Sequence, residues 1–150
     1  MMAAFVIEHA LGTVGAEKGG VTMKVAFTTR HGEMIDQHFG QSSQFHVWDI
    51  GPEEATFLHV AEVEPTGDDE EDRIAARAKL LSGCAIVYTM QIGGPAAARL
   101  VAHKIHPMKT NTEVGLKETI EQLQEVLRGN PPPWLKKAMI SDQIRPFNEE

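Results

Sequence analysis

One run constrains this 150-residue chain more than any other: Ala85-Ile86-Val87-Tyr88-Thr89, apolar almost throughout and preceded by Gly83. A strand with two apolar faces reads as the buried centre of a parallel sheet, because helices must cover both sides of it. Parallel neighbours in turn require crossover connections, usually helical, before and after the strand. Both are present. Gly67-Asp68-Asp69-Glu70-Glu71-Asp72 opens a helix predicted to run to Ser82, with Arg73, Arg77 and Lys79 placed to suit its dipole. Ile74, Ala78 and Leu81 form its apolar stripe, and Gly83 is the expected C-terminal cap. The acidic run is read as a solvated helix start, with a cation site as the alternative. Behind the strand, Pro95 stands at a favoured first helical position before Ala96–His103.

The remaining elements follow from period and punctuation. Lys24-Val25-Ala26-Phe27-Thr28-Thr29 is β-branched and apolar, and is the expected first strand. Residues 30–43 form a polar loop, longer than the usual connection and therefore disordered or functional. Gln44–Ile50 alternates, with Phe45 and Val47 on one face and His46, Trp48 and Ile50 on the other. It pairs antiparallel with Phe57–Glu64 across the Gly51-Pro52 turn. His46 and His59 fall on sheet faces. Lys104–Lys109 is a strand that Pro107 assigns to the sheet edge; His103 and His106 straddle its start. Leu116, Ile120, Leu123 and Leu127 mark a last long helix, starting near Thr112 and stopping at Gly129. Past Pro131-Pro132-Pro133, Trp134, Leu135, Ala138 and Met139 form a short amphipathic piece. The predicted organisation is a flexible extension over 1–22, a cofactor-binding domain over 23–129, and a Pro-rich segment, short helix and tail over 130–150. The order β-β-β-α-β-α-β-α, three antiparallel strands followed by right-handed crossover units, gives an α/β fold with a mixed five-stranded sheet and helices on its faces. Its expected strand order is 3-2-1-4-5, with strands one, four and five parallel: the ribonuclease-H-like arrangement.

Composition removes several function classes. The chain has 14 Lys+Arg against 21 Asp+Glu, a net charge of −7, so a nucleic-acid partner is not expected. Hydrophobic residues make up 42%, enough for a core without disulfides or structural zinc. The single cysteine, Cys84, excludes an intrachain disulfide and a permanent four-thiolate cluster or zinc site from one chain. Met1–Ile7 is apolar but stops at Glu8-His9, too short for a signal core, and no stretch is long enough to span a membrane. A reduced, cytoplasmic protein with no membrane partner is expected.

In such a sheet, ligands collect beyond the carboxyl ends of the parallel strands. The loop 30–43 offers Arg30, His31 and His38 there; the loop 90–94 offers Met90, Gln91 and the backbone amides of Gly93 and Gly94. Those amides head a helix and suit an anion, although Gly-Gly-Pro is also an ordinary way to start one. A two-metal nuclease would need carboxylates on strands one and four; strand one has none and strand four ends in Tyr88-Thr89. Nor does the context of Cys84 support an activated thiolate, so no enzyme activity is expected.

Asp36-Gln37-His38-Phe39-Gly40, with Ser42, Phe45 and Trp48-Asp49, resembles the signature of the NifX/NafY/NifB C-terminal family. Leu81–Tyr88, the Ala-rich helix 96–102, Ile105-His106-Pro107-Met108-Lys109 and Trp134-Leu135-Lys136-Lys137-Ala138 are similar to its NifX branch, so the likeness covers about residues 24–140. The resemblance implies a carrier in nitrogenase cofactor biosynthesis. Its cargo would be the NifB-derived iron–sulfur–carbide precursor, or the iron–molybdenum cofactor or its precursor, and its partners NifB and the NifEN scaffold. The alternative is a regulatory or escort module that binds assembly proteins without holding cluster. A carrier must release its cargo, so few protein bonds are expected. His38 is then the expected metal ligand, its other role being a hydrogen-bonded loop residue. Some relatives carry cysteine where this chain has Met90, so a second ligand is lost or replaced by the thioether. Cys84 precedes strand four, some 15–20 Å from the Met90 end, and is read as core, with a ligand role left open.

Overall fold

The structure is a computed structural model that describes residues 22–65, 67 and 69–139. The expected N-terminal extension up to residue 21 and the tail from residue 140 lie outside the described residues.

Two apolar periods build the centre. Strand β1 (Met23–Thr28) sends Met23, Val25 and Phe27 to one face and Ala26 to the other. Strand β5 (Ile86–Thr89) divides Ile86 and Tyr88 from Val87 in the same way, and is buried along its whole length. The two run parallel, Val25 opposite Ile86 and Phe27 opposite Tyr88, and the Phe27 and Tyr88 rings stack at 5.4 Å. Around them lie β3 (Gln44–Ile50) and β4 (Ala55–Glu62) as an antiparallel pair, and β6 (His106–Lys109), parallel to β5 at the far edge. The order β4-β3-β1-β5-β6 is the expected mixed five-stranded sheet.

Helices close both faces. On one, α3 (Leu116–Arg128) buries Leu116, Ile120, Leu123 and Leu127 against Val25, Phe27 and Ile86. A helix over 133–139 adds Leu135, 2% exposed, to the same cluster. On the other, α1 (Glu70–Leu80) and α2 (Gly94–Ala102) place Ile74, Ala78, Ala96 and Leu100 over Ala26, Val47 and Val87. Arg99 of α2 pairs with Glu71 of α1.

Several boundaries differ from expectation. Strand β4, the third of the expected strands, runs Ala55–Glu62 rather than Phe57–Glu64, because Gly51 closes the turn through its amide on Glu54 O at 2.8 Å and pairing begins at Ala55. Leu58 is bulged out between His59, opposite Val47, and Phe57, opposite Trp48. Helix α1 begins at Glu70, where the Asp69 carboxylate caps the Glu71 amide. It ends at Leu80, before Gly83 takes φ +96°. The edge strand starts at His106 because Lys104 and Ile105 still close the end of α2, their amides bonded to Val101 O and Leu100 O. Helix α3 starts at Leu116 rather than near Thr112, since β7 (Val114–Gly115) is committed to a two-residue ladder with β2 (Met34–Ile35). That ladder and a 3₁₀ turn over Phe39–Gln41 give order to the long loop 30–43.

Candidate functional site

Strands β1, β5 and β6 all point their carboxyl ends to one rim, so the segments that follow each of them meet there. The meeting is made by backbone. Gln37 O lies within hydrogen-bond reach of three donors: the Met90 amide, the Thr28 hydroxyl and the Thr89 hydroxyl, each at 3.0 Å. One residue further, the Phe39 amide donates to Gln91 O at 2.9 Å, and His38 and Gln91 form an isolated parallel bridge. The first loop is therefore stitched along the second as a short extra strand, with the His38 side chain exposed on it.

A third segment completes the rim. The Asn111 amide donates to Met90 O at 3.0 Å and the Gln91 side-chain amide to Asn111 Oδ1 at 3.2 Å. Asn111 sits in the left-handed region at φ 68°, which asparagine tolerates better than most residues. Sequence reasoning named two loops and missed this one. The signal was available, because the parallel edge strand β6 must end at the same rim.

The underside of the first loop rests on a cation. Arg77, 7% exposed, reaches from α1 with Nη2 donating to Ser42 O at 2.7 Å and Nη1 to Arg73 O at 3.1 Å, while Nε is buried without an acceptor. Burial, with the charge of Arg73 behind it, lowers the Arg77 pKa. Arg77 stands in the last turn of α1, as its expected complement to the helix dipole requires, and its guanidinium in addition holds the His38 turn in place.

The predicted residues separate into groups. His38, Met90 and Gln91 are brought together by the stitching just described. Arg30 is exposed at the start of the loop, and Asp36 engages it through both the backbone amide at 3.1 Å and the side-chain Nε at 3.5 Å. Its charge is therefore partly offset by its own loop. His31 is exposed in the turn closed by the Gly32 amide on Thr29 Oγ1; among the described residues, no hydrogen bond or ring contact ties it to His38. Gly93 and Gly94 are exposed at the start of α2. A Cβ would meet nothing within 4 Å at Gly94 and only Pro95 Cδ, at 3.9 Å, at Gly93, so packing does not demand glycine at either place. At Gly32 it does: φ is +85° and a Cβ would stand 2.8 Å from His46 Cε1.

Cys84 is 4% exposed, packed in the cluster of Ala26, Val87 and Ile105 at the opposite end of β5. At about 3.3 Å per residue it is roughly 20 Å along the chain from Met90. Among the described residues, no three His, Cys, Asp or Glu side chains stand together as a metal site. None of the described helices is long and apolar enough to cross a membrane.

Comparison with known proteins adds identity to this geometry. A family model described as dinitrogenase iron-molybdenum cofactor matches residues 21–126. Protein NifX of Herbaspirillum seropedicae is 38% identical over 130 residues, covering 85% of this chain and 89% of that one. Protein NifY of Azotobacter vinelandii is 40% identical over 118 residues, 79% of this chain but 48% of its own length. Among solved structures, PH0822 is similar in fold, with a TM-score of 0.56 at 21% identity over 69% of this chain and 90% of that one. The chain belongs to the dinitrogenase iron–molybdenum cofactor family, in the group that includes NifX and NifY.

Proposed function

We propose that this protein acts in nitrogenase cofactor biosynthesis as a carrier. It takes up the NifB-derived iron–sulfur precursor of the iron–molybdenum cofactor at the rim where loops 30–43 and 90–94 meet, and delivers it to the NifEN scaffold without catalytic turnover. The observation that carries this reading is the His38–Gln91 bridge, which holds an exposed imidazole on a pinned backbone beside Met90. Imidazole is a competent iron donor. One such bond, with the Met90 thioether as a weak second, suits a cargo that must leave again. The amides of Gly93 and Gly94 and the side chains of Arg30, His31 and Gln91 would steady the anionic cluster through hydrogen bonds and charge. Membership of the family supports a role in cofactor biosynthesis, and the mixed sheet, whose parallel strands end together at this rim, supports a binding site there.

Anaerobic mixing of the protein with isolated precursor, followed by gel filtration, tests the proposal. The wild type is expected to retain iron and brown colour, and His38→Ala to lose most of both. Equal retention by the variant removes His38 from the site, and a colourless, iron-free wild type overturns the carrier role. Iron-edge X-ray absorption on the loaded protein would identify a nitrogen donor supplied by His38.

The second reading is an escort module that binds assembly proteins without holding cluster. It is favoured by Phe57, Leu58 and Val60, all exposed on the edge strand β4. Affinity for NifEN that does not change with precursor would select it.

A further inference from the structure

At the opposite end of the sheet from His38, a cavity of about 290 Å³ opens between the end of α2, the start of β6 and the helix over 133–139. Its lining is mostly apolar and includes Ala85 and Ile105, which are 5% and 1% exposed. One part of the wall is the His106–Trp134 pair, whose rings stack at 3.8 Å and 13°. Burial lowers the pKa of His106, so near neutral pH the stack is an uncharged aromatic slab. Among the described residues, the charged side chains in the lining are two exposed lysines, Lys104 and Lys137, with no carboxylate beside them. On a chain of net charge −7 this is a locally positive mouth over an apolar interior.

Lys104 is placed there against its backbone preference. It sits just past α2 at φ 64°, the left-handed position where helix ends favour glycine or asparagine. A lysine in that position adds strain, and the residue lines the cavity.

We propose that this cavity is a binding site for a small organic anion with a planar apolar body, whose ring lies against the aromatic slab and whose carboxylate meets Lys104 and Lys137. Apolar enclosure with a few convergent polar groups is the usual make-up of a small-molecule site. The strained lysine supplies an independent reason to assign the charge. The site stands apart from the carrier role: Ala85 and Met90 lie at opposite ends of β5, roughly 17 Å apart by strand rise.

Titration of the full chain with benzoate, followed by heteronuclear NMR, tests it. Saturable shifts are expected at residues 101, 104–106 and 134–138, including the Trp134 indole NH. Benzamide, the uncharged analogue, should bind about tenfold more weakly or worse, as should benzoate to a Lys104→Met/Lys137→Met double variant. Val101→Glu adds an anion to the lining at a site 60% exposed, and should weaken benzoate while leaving the fold intact. His38→Ala should bind benzoate like the wild type. Shifts that do not saturate, that map elsewhere, or that are equal for benzamide would overturn the proposal. So would binding of an acidic peptide where benzoate does not bind, which would make the cavity a protein-docking site instead.

Discussion

The Met90 amide donates to the Gln37 carbonyl at 3.0 Å, joining the segment after the central strand to the loop after the first strand. Because Thr28 and Thr89 aim their hydroxyls at the same oxygen, the His38 loop is registered from below by two neighbouring strands. That registration turns a long polar loop into a defined surface.

Thr89→Val tests the registration. Valine keeps the volume but removes a fully buried hydroxyl that reaches Gln37 O at 3.0 Å and Gln91 O at 3.1 Å. A loss of about 1–2 kcal/mol is expected in urea unfolding, with an unchanged slope. Hydrogen exchange of the Phe39 and Met90 amides should accelerate more than that of β1.

Arg77→Ala removes the cation under the turn. Ser42 O loses its donor at 2.7 Å and a buried side chain becomes a void. Destabilisation of about 1–3 kcal/mol is expected by denaturant titration. Protection of the Ser42 amide, bonded to Phe39 O, should fall before that of the α1 core.

Two glycine substitutions should behave oppositely. Gly32→Ala must accept φ +85° and a contact of 2.8 Å with the His46 ring, so a loss of more than about 1 kcal/mol is expected. Gly94→Ala enters open space at the start of a helix, and should leave the melting temperature unchanged or slightly raised. If the amides there approach an anionic cargo, Gly94→Ala should nonetheless reduce iron retention.

The pH dependence has two limbs. Burial lowers the folded-state pKa of His46 and of His106 below 6.5. Protons therefore favour the unfolded chain, and stability should be lost as pH falls from about 6.5 through those lowered values. Burial also pushes the phenol of Tyr88, the chain's single tyrosine, up to about 12 from 10.0. Stability should then decline as pH rises from about 10 through about 12. Ultraviolet titration of the phenol and thermal melts across both limbs check these outcomes; a Tyr88 midpoint near 10 in the folded protein would contradict its burial.

Much of the sheet could be read from local pattern. Apolar continuity in 85–89 dictated a central parallel strand, and alternation in 44–50 dictated a half-covered antiparallel one, because periodicity records which faces must leave water. Gly-Pro and Gly-Gly-Pro punctuation located the turns. The rim, and His38 and Met90 on it, followed from strand direction. The β2–β7 ladder was illegible, since two residues on each side are too few to show a period and their partners are about 80 positions apart. So was the role of Arg77: its side chain is spaced for helix-end charge, and only the packing of α1 beneath Ser42 turns it inward.

What the amino-acid order determined alone is the five main strands and the helices between and after them, with their faces, because these depend on residues near one another in the chain. What only the tertiary structure decided is which carbonyl meets which donor. The stitching of Gln37 to Met90, the arrival of Asn111 at the same rim and the cavity beside Trp134 arise between distant segments, where hydrogen-bond geometry and close packing leave no trace in local composition.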